Sequence, residues 1–149
     1  MIQKATQKDI PELCTLLQYL FSQEAEFVPD RETQTRGLEK IISNPEIGII
    51  WVARRDNKVA GMVNILFTYS TALGGPVAIL EDLVVSPSAR GLGIGSRLLE
   101  QALAHARHSG IKRVTLLTDE SNHLAHQFYQ KNRFSRSSMV PFRISLDDS

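Results

Sequence analysis

Residues Arg90-Gly91-Leu92-Gly93-Ile94-Gly95-Ser96 combine one guanidinium, three alternating glycines and the start of an amphipathic helix. A strand-forming stretch, Leu83-Val84-Val85, precedes them and Pro87 ends it. A glycine-rich turn running straight into a helix aims several backbone N–H groups, and the positive end of the helix dipole, at one point. That arrangement suits a phosphate group. Glycines remove Cβ atoms that would keep a ligand off the backbone and allow unusual φ values. Arg90 adds a charged donor that pairs well with phosphate oxygens. The plainer explanation of the same glycines is a tight turn that lets a helix pack closely.

Two nucleotide motifs fail against this loop. A P-loop needs Gly-x-x-x-x-Gly-Lys-Ser/Thr, but Ser96 and Arg97 stand where Gly and Lys belong. The dinucleotide fingerprint needs Gly-x-Gly-x-x-Gly; its third glycine is Ser96 counted from Gly91, or Leu98 counted from Gly93. The loop also follows a run of antiparallel-looking strands rather than the first strand of a βαβ unit. What remains is Arg-x-x-Gly-x-Gly after a strand. A second motif stands downstream: Asn122-His123-Leu124-Ala125-His126-Gln127-Phe128-Tyr129-Gln130-Lys131-Asn132-Arg133-Phe134.

The two motifs, in this order and spacing, resemble the GNAT (Gcn5-related N-acetyltransferase) superfamily, whose patterns are Gln/Arg-x-x-Gly-x-Gly/Ala and Asn-x-x-Ala-x-x-Phe-Tyr-x-Lys-x-Gly-Phe. The resemblance implies an α/β fold with a central, mostly antiparallel, splayed mixed sheet flanked by helices. It implies acetyl-CoA as cosubstrate, with the pyrophosphate on the amides from Gly91 through Leu92, Gly93, Ile94 and Gly95 to Ser96 and Arg90 beside it. Pantetheine is then expected along the main chain of Leu83, Val84 and Val85, in the gap where the strand parts from its neighbour. The resemblance places the Asn122 side chain near the cofactor and makes Tyr129 the acid. One position departs: Arg133 replaces a glycine that commonly takes the left-handed conformation after the helix. Asn132 is a candidate for that conformation instead, and Arg133 is also a candidate to reach the adenosine phosphates.

Acetylating an amine requires an unprotonated nitrogen and a proton for the departing thiolate. An alkyl amine of pKa about 10.4 is neutral in only about 1 molecule in 2,500 at pH 7, a deficit of roughly 4–5 kcal/mol. A base, a water chain or local desolvation is therefore useful. Tyr129 lies seven residues beyond Asn122, which puts both on one helix face. A phenol stays protonated at neutral pH and can donate to sulfur; core packing beside Phe128 is its plainer role, and helix capping is that of Asn122. Glu81 and Asp82 immediately precede the pantetheine segment. Neighbouring strand residues face opposite sides, so one of the two normally points into the cleft. Glu81 is favoured as the base, with Asp82 or a water chain as alternatives and a structural hydrogen bond as the plain reading. Glu24, Glu26 and Asp30 are candidates for an amine pocket, or simply a solvated loop.

The remaining candidates are bland. His105/His108 and His123/His126 are i, i+3 pairs without an obvious third ligand, and no metal is expected. The single cysteine, Cys14, lies among apolar helix residues and reads as a buried thiol.

These residues must be positioned by something, and 149 residues suffice for one domain, 1–149, with a real core. Seventeen basic against sixteen acidic side chains give a net charge of +1, which argues against nucleic acid or an anionic membrane as partner. No apolar run approaches a membrane span, and the N-terminus does not read as a secretory signal, so a cytoplasmic location is expected. The acceptor is expected to be a small-molecule amine, a protein amine being the alternative. A CoA-binding sensor without turnover is the alternative from another class. Dimerisation is common among similar proteins, which brings a homodimer into view.

Along the chain, residues 2–5 predict an edge strand, and Thr6 with Asp9 approximates a capping box. Ile10, Leu13, Leu16, Leu17, Leu20 and Phe21 form one helical face. A weaker helix is expected over 32–43. Strands are expected at 47–54 and 59–68 around an Asp56-Asn57 hairpin turn, and at 77–85 after Gly74-Gly75. The helix after the glycines carries Gly95, Leu98, Leu99, Ala102, Leu103 and Ala106 on one face and ends at Gly110. A buried strand at 114–118, a helix from Ser121 or Asn122 to about Asn132, and two short strands within 134–146 complete the prediction.

Overall fold

β-Branched runs drive the middle of the chain into strands, and a computed structural model describes residues 1–23 and 30–147. In chain order the strands are β1 (Ile2–Lys4), β2 (Gly48–Arg55), β3 (Lys58–Ser70), β4 (Gly75–Val85) and β5 (Val114–Leu116). The helices are α1 (Ile10–Gln23), α2 (Arg31–Ser43), α3 (Ile94–His108) and α4 (His123–Lys131). The five strands form one sheet in the order β1-β2-β3-β4-β5. Its first three pairings are antiparallel and the last, β4 with β5, is parallel. The expected mixed, mostly antiparallel sheet is therefore found.

The β2–β3 hairpin turns on Asp56 and Asn57 at φ 54° and 62°. Two left-handed residues make the type I′ turn that matches strand twist, and Asp and Asn tolerate it best after glycine. One face of the sheet packs under α1 and α2: Ile50, Val52, Met62 and Val84 cluster with Leu13, Leu16, Leu17 and Leu38. Cys14 lies in that cluster, its Sγ 3.3 Å from Thr35 Oγ1. The other face receives α3, whose Leu98, Leu99 and Ala102 are fully buried. Gly61 lets that helix approach, since a Cβ there would stand 3.0 Å from Leu98 Cδ1.

Asp9 does more than the expected cap. Its carboxylate accepts the Thr6 N–H at 2.8 Å and takes two bonds from Arg54 Nη2 at 2.8 and 2.9 Å. The start of α1 is thereby tied to β2.

Contacts divide the chain into two compact units, Met1–Asp119 and Glu120–Ser149. The first holds the sheet and α1–α3, the second α4 and the C-terminal segment. In the second unit the two strands expected within 134–146 are absent: no described residue from 132 to 147 is in a strand. Val140, Phe142 and Ile144 alternate as a strand should, yet they are 73%, 95% and 81% exposed. Alternation supplies a face, whereas a strand also needs a partner's hydrogen bonds. β5 is likewise shorter than expected, ending at Leu116 rather than Thr118, and half-buried at Val114 and Leu116.

Candidate active site

β4 is the strand on which the site is built. It pairs with β3 along its whole length, from Ser70↔Gly75 to Gly61↔Val85. Its parallel pairing with β5 covers only Ala78, Ile79 and Leu80. From Glu81 to Val85 the edge facing β5 has no strand partner among the described residues. Those five residues present main-chain donors and acceptors to whatever lies alongside. The expected splay thus begins at the Leu80–Leu116 rung, and Leu83, Val84 and Val85 lie beyond it.

The chain then passes through a 3-10 turn at Pro87–Ala89 into Arg90, which is extended at φ −70°, ψ 154° and exposed. Gly91 and Gly93 are left-handed, at φ 80° and 76°. A Cβ at either would meet no atom of the described residues within 4 Å beyond its chain neighbours. Gly93 is the N-cap of α3 and supplies no side-chain acceptor. Gly95 lies in the first helical turn, and no side chain caps the amides there. The first N–H groups of a helix lack internal partners, so this terminus keeps donors for an anion. Arg97 bends back over the loop, its Nη2 donating to Leu92 O at 3.4 Å. Open space before left-handed glycines, an uncapped helix start and two exposed guanidiniums fit a diphosphate.

A β-bulge separates the carboxylates. Asn64 pairs with Asp82 and Ile65 with Leu80, leaving Glu81 as the extra residue of β4. Glu81 is exposed, and its side chain makes no hydrogen bond or ion pair with another described residue. Asp82 is buried and accepts from Asn64 Nδ2 at 3.0 Å. Bulges re-aim side chains in this way. Asn64 escaped the reading of the sequence, although its signal was present: one amide in the apolar run Val59-Ala60-Gly61-Met62-Val63-Asn64-Ile65.

In the second unit, Asn122 is the N-cap of α4, and its Oδ1 accepts the Ala125 N–H at 3.1 Å. Tyr129 is half-buried on the same helix, edge-on to Phe128 and Phe134 at ring separations of 5.2 and 5.6 Å. After α4 it is Arg133, at φ 75°, and not Asn132, that turns left-handed. Asn132 is instead at φ −94° with its Nδ2 on Phe128 O at 2.8 Å. That bond, and those from Arg133 N to Gln130 O and Phe134 N to Tyr129 O, close the helix end around position 133.

Other candidates have structural employment. Asp30 caps α2, receiving Thr33 Oγ1 at 2.7 Å and Thr33 N at 3.4 Å, and these bonds hold its carboxyl below the usual range. Glu24 and Glu26 lie outside the described residues. His105 packs against Trp51 and Phe67, at ring separations of 5.7 and 6.5 Å. Partial burial there, then the charges of Lys4 and His108, lowers its pKa.

Comparison with known proteins fits this geometry. The chain is 31% identical over 122 residues to the uncharacterized N-acetyltransferase YhfO of Bacillus subtilis, covering 80% of this chain and 81% of that protein. It is 26% identical over 136 residues to the aminoalkylphosphonate N-acetyltransferase of Salmonella typhimurium, covering 91% and 85%. Among solved structures, the aminoglycoside acetyltransferase meta-AAC0020 from an uncultured soil metagenomic sample superposes with a TM-score of 0.78 at 21% identity, over 99% of this chain and 96% of that one. The model of the acetyltransferase (GNAT) family matches residues 13–134, and the chain belongs to that family.

Proposed function

We propose that the chain is an acetyl-CoA-dependent N-acetyltransferase of small primary amines, working by direct attack in a ternary complex. The observation that carries the reading is the continuity of β4 and α3. An unpartnered strand edge at Glu81–Val85 leads within nine residues to left-handed glycines and an uncapped helix start. A long ligand with an amide-bearing arm and a diphosphate would be met by both. Acetyl-CoA supplies the activated acetyl group as a thioester. The family match spans both compact units, which supports reading residues 1–149 as one catalytic domain.

Main-chain groups of Leu83, Val84 and Val85 would orient the pantetheine arm, and amides from Gly91 to Ser96, with Arg90, would hold the diphosphate. Glu81 would take the proton from the attacking amine, directly or through water, as the N–C bond forms. Tyr129 would give its phenolic proton to the sulfur as the C–S bond breaks, and Asn122, on the same face of α4, would stand by the cofactor. A small amine is favoured because the Salmonella relative is named for an aminoalkylphosphonate and no long charged tract offers a peptide surface. A cytoplasmic location suits that substrate class and cosubstrate. Dimerisation is open to a sedimentation measurement.

Thiol release with acetyl-CoA and a panel of aminoalkylphosphonates, polyamines, amino sugars and amino acids tests the reading. At least one amine is expected to be turned over, with Tyr129→Phe lowering kcat by about 10²-fold. Full activity of that variant, with chemistry rate-limiting, removes Tyr129 as the acid. Binding of acetyl-CoA without release under any acceptor points to a sensor instead.

A further inference from the structure

Asn64 interrupts an apolar strand at a revealing place. It is 3% exposed and its rung partner Asp82 is 8% exposed. Asn64 Nδ2 donates to Asp82 Oδ2, while Asn64 Oδ1 is buried with no hydrogen-bond partner among the described residues. A buried amide with an unsatisfied acceptor is a net cost that a well-packed apolar pair would not carry. Stability does not explain it.

Register does. Asn64↔Asp82 is the rung at which pairing changes, the next being Ile65↔Leu80. Met62 and Val84, two residues along each strand, pack beneath α1 and α2, and alternation puts Asn64 and Asp82 on that same face. Were β4 to slide by one residue and erase the bulge, every side chain from Asp82 to Val85 would change sides. Val84 would leave the core, and the Asp82 carboxylate would enter the apolar face covered by Leu98 and Leu99. The Asn64–Asp82 bond is available only in the bulged register.

We propose that Asn64 is a positioning residue: through Asp82 it locks the bulge in β4 and so holds Glu81 out of the sheet where β4 parts from β5. It touches no reacting atom. Its catalytic consequence rests on the reading of Glu81 given above.

Asn64→Thr and Asn64→Val have nearly the same shape, but only threonine keeps a donor for Asp82. The threonine variant is expected to retain the 64–82 rung in cross-strand nuclear Overhauser contacts and kcat within about threefold. The valine variant is expected to lose the rung, to exchange the Asp82–Val85 amides at least about tenfold faster, and to lower kcat about tenfold. In a Glu81→Gln background the valine substitution should change kcat less than about twofold, because the two residues act as one unit. Equal rungs and equal exchange in the two variants would overturn the lock. Independent, multiplying losses of kcat would overturn the action through Glu81. If valine prevents folding, Asn64→Ser against Asn64→Ala makes the same comparison. If Glu81→Gln alone leaves kcat unchanged, the reading of Glu81 fails while exchange still decides the lock.

Discussion

Gly93 and Arg133 share almost the same φ, 76° and 75°, one at the start of a helix and the other just past the end of one. An L-residue in this region costs roughly 1–2 kcal/mol, and glycine costs nothing. The chain accepts that cost at Arg133 and avoids it at Gly93. At Arg133 the turn asks only for a φ value, since the closing bonds come from main-chain groups and Asn132. At Gly93 the turn in addition leaves open room, among the described residues, before a row of N–H groups. Left-handed geometry alone is therefore not what marks a site. On the proposed function, the mark is left-handed geometry where a Cβ would stand in the way of acetyl-CoA.

The largest expected effect would break this contrast if it failed. Gly93→Ala should raise KM for acetyl-CoA at least about tenfold while costing about 1 kcal/mol of stability. Gly74→Ala is the control, because Gly74 is also left-handed, at φ 66°, with open space beside it. It should lose a similar stability and keep its KM. Steady-state kinetics with thermal melts on both variants decides the matter, and equal KM values would show that Gly93 serves the turn alone.

Next in size, Arg133→Gly should stabilise the fold by about 0.5–1 kcal/mol, read in urea unfolding. An unchanged KM for acetyl-CoA would show that Arg133 is only tolerated there; a rise would show that its charge is used.

The smallest effect concerns α3, the helix that the glycine loop opens. Burial holds the His105 pKa below its ordinary 6.5, with Lys4 and His108 adding repulsion. The unfolded chain therefore binds the proton more readily than the folded one. His105's contribution to stability is complete above 6.5 and is lost as pH falls through the lower folded value. Solvent screening keeps it under about 1 kcal/mol. Melts between about pH 7.5 and 5 should show a decline that His105→Gln flattens.

What could be read from the sequence was what is decided locally. Asp56-Asn57, the apolar face of α3 and the Gly110 ending each depend on a few neighbouring residues, and each is found. The left-handed Gly91 and Gly93 were legible for the same reason. Long-range pairing was not. Val140, Phe142 and Ile144 have a strand's alternation and no strand, because alternation says nothing about a partner. Glu81 was favoured over Asp82, but that a bulge falls between them, with Glu81 exposed and Asp82 buried, could not be read from the sequence. A one-residue register change is invisible in either strand alone. Arg133 shows the limit of propensity, since neighbouring Asn132 is the better left-handed former and yet is spent bonding Phe128 O.

The parting of β4 from β5 also has a consequence for what the edge of β4 would admit. Sheet edges ordinarily invite any extended chain, and proteins guard them with charge, proline or cover. Here β5 covers the edge only as far as Leu80. β5 closes one end of the opening at the Leu80–Leu116 rung, so the arm of the proposed cosubstrate would lie along Glu81–Val85 with its tip toward that rung. If acetyl-CoA lies there as proposed, the rung that ends the pairing would set how far its reactive end can travel and would leave it near Glu81.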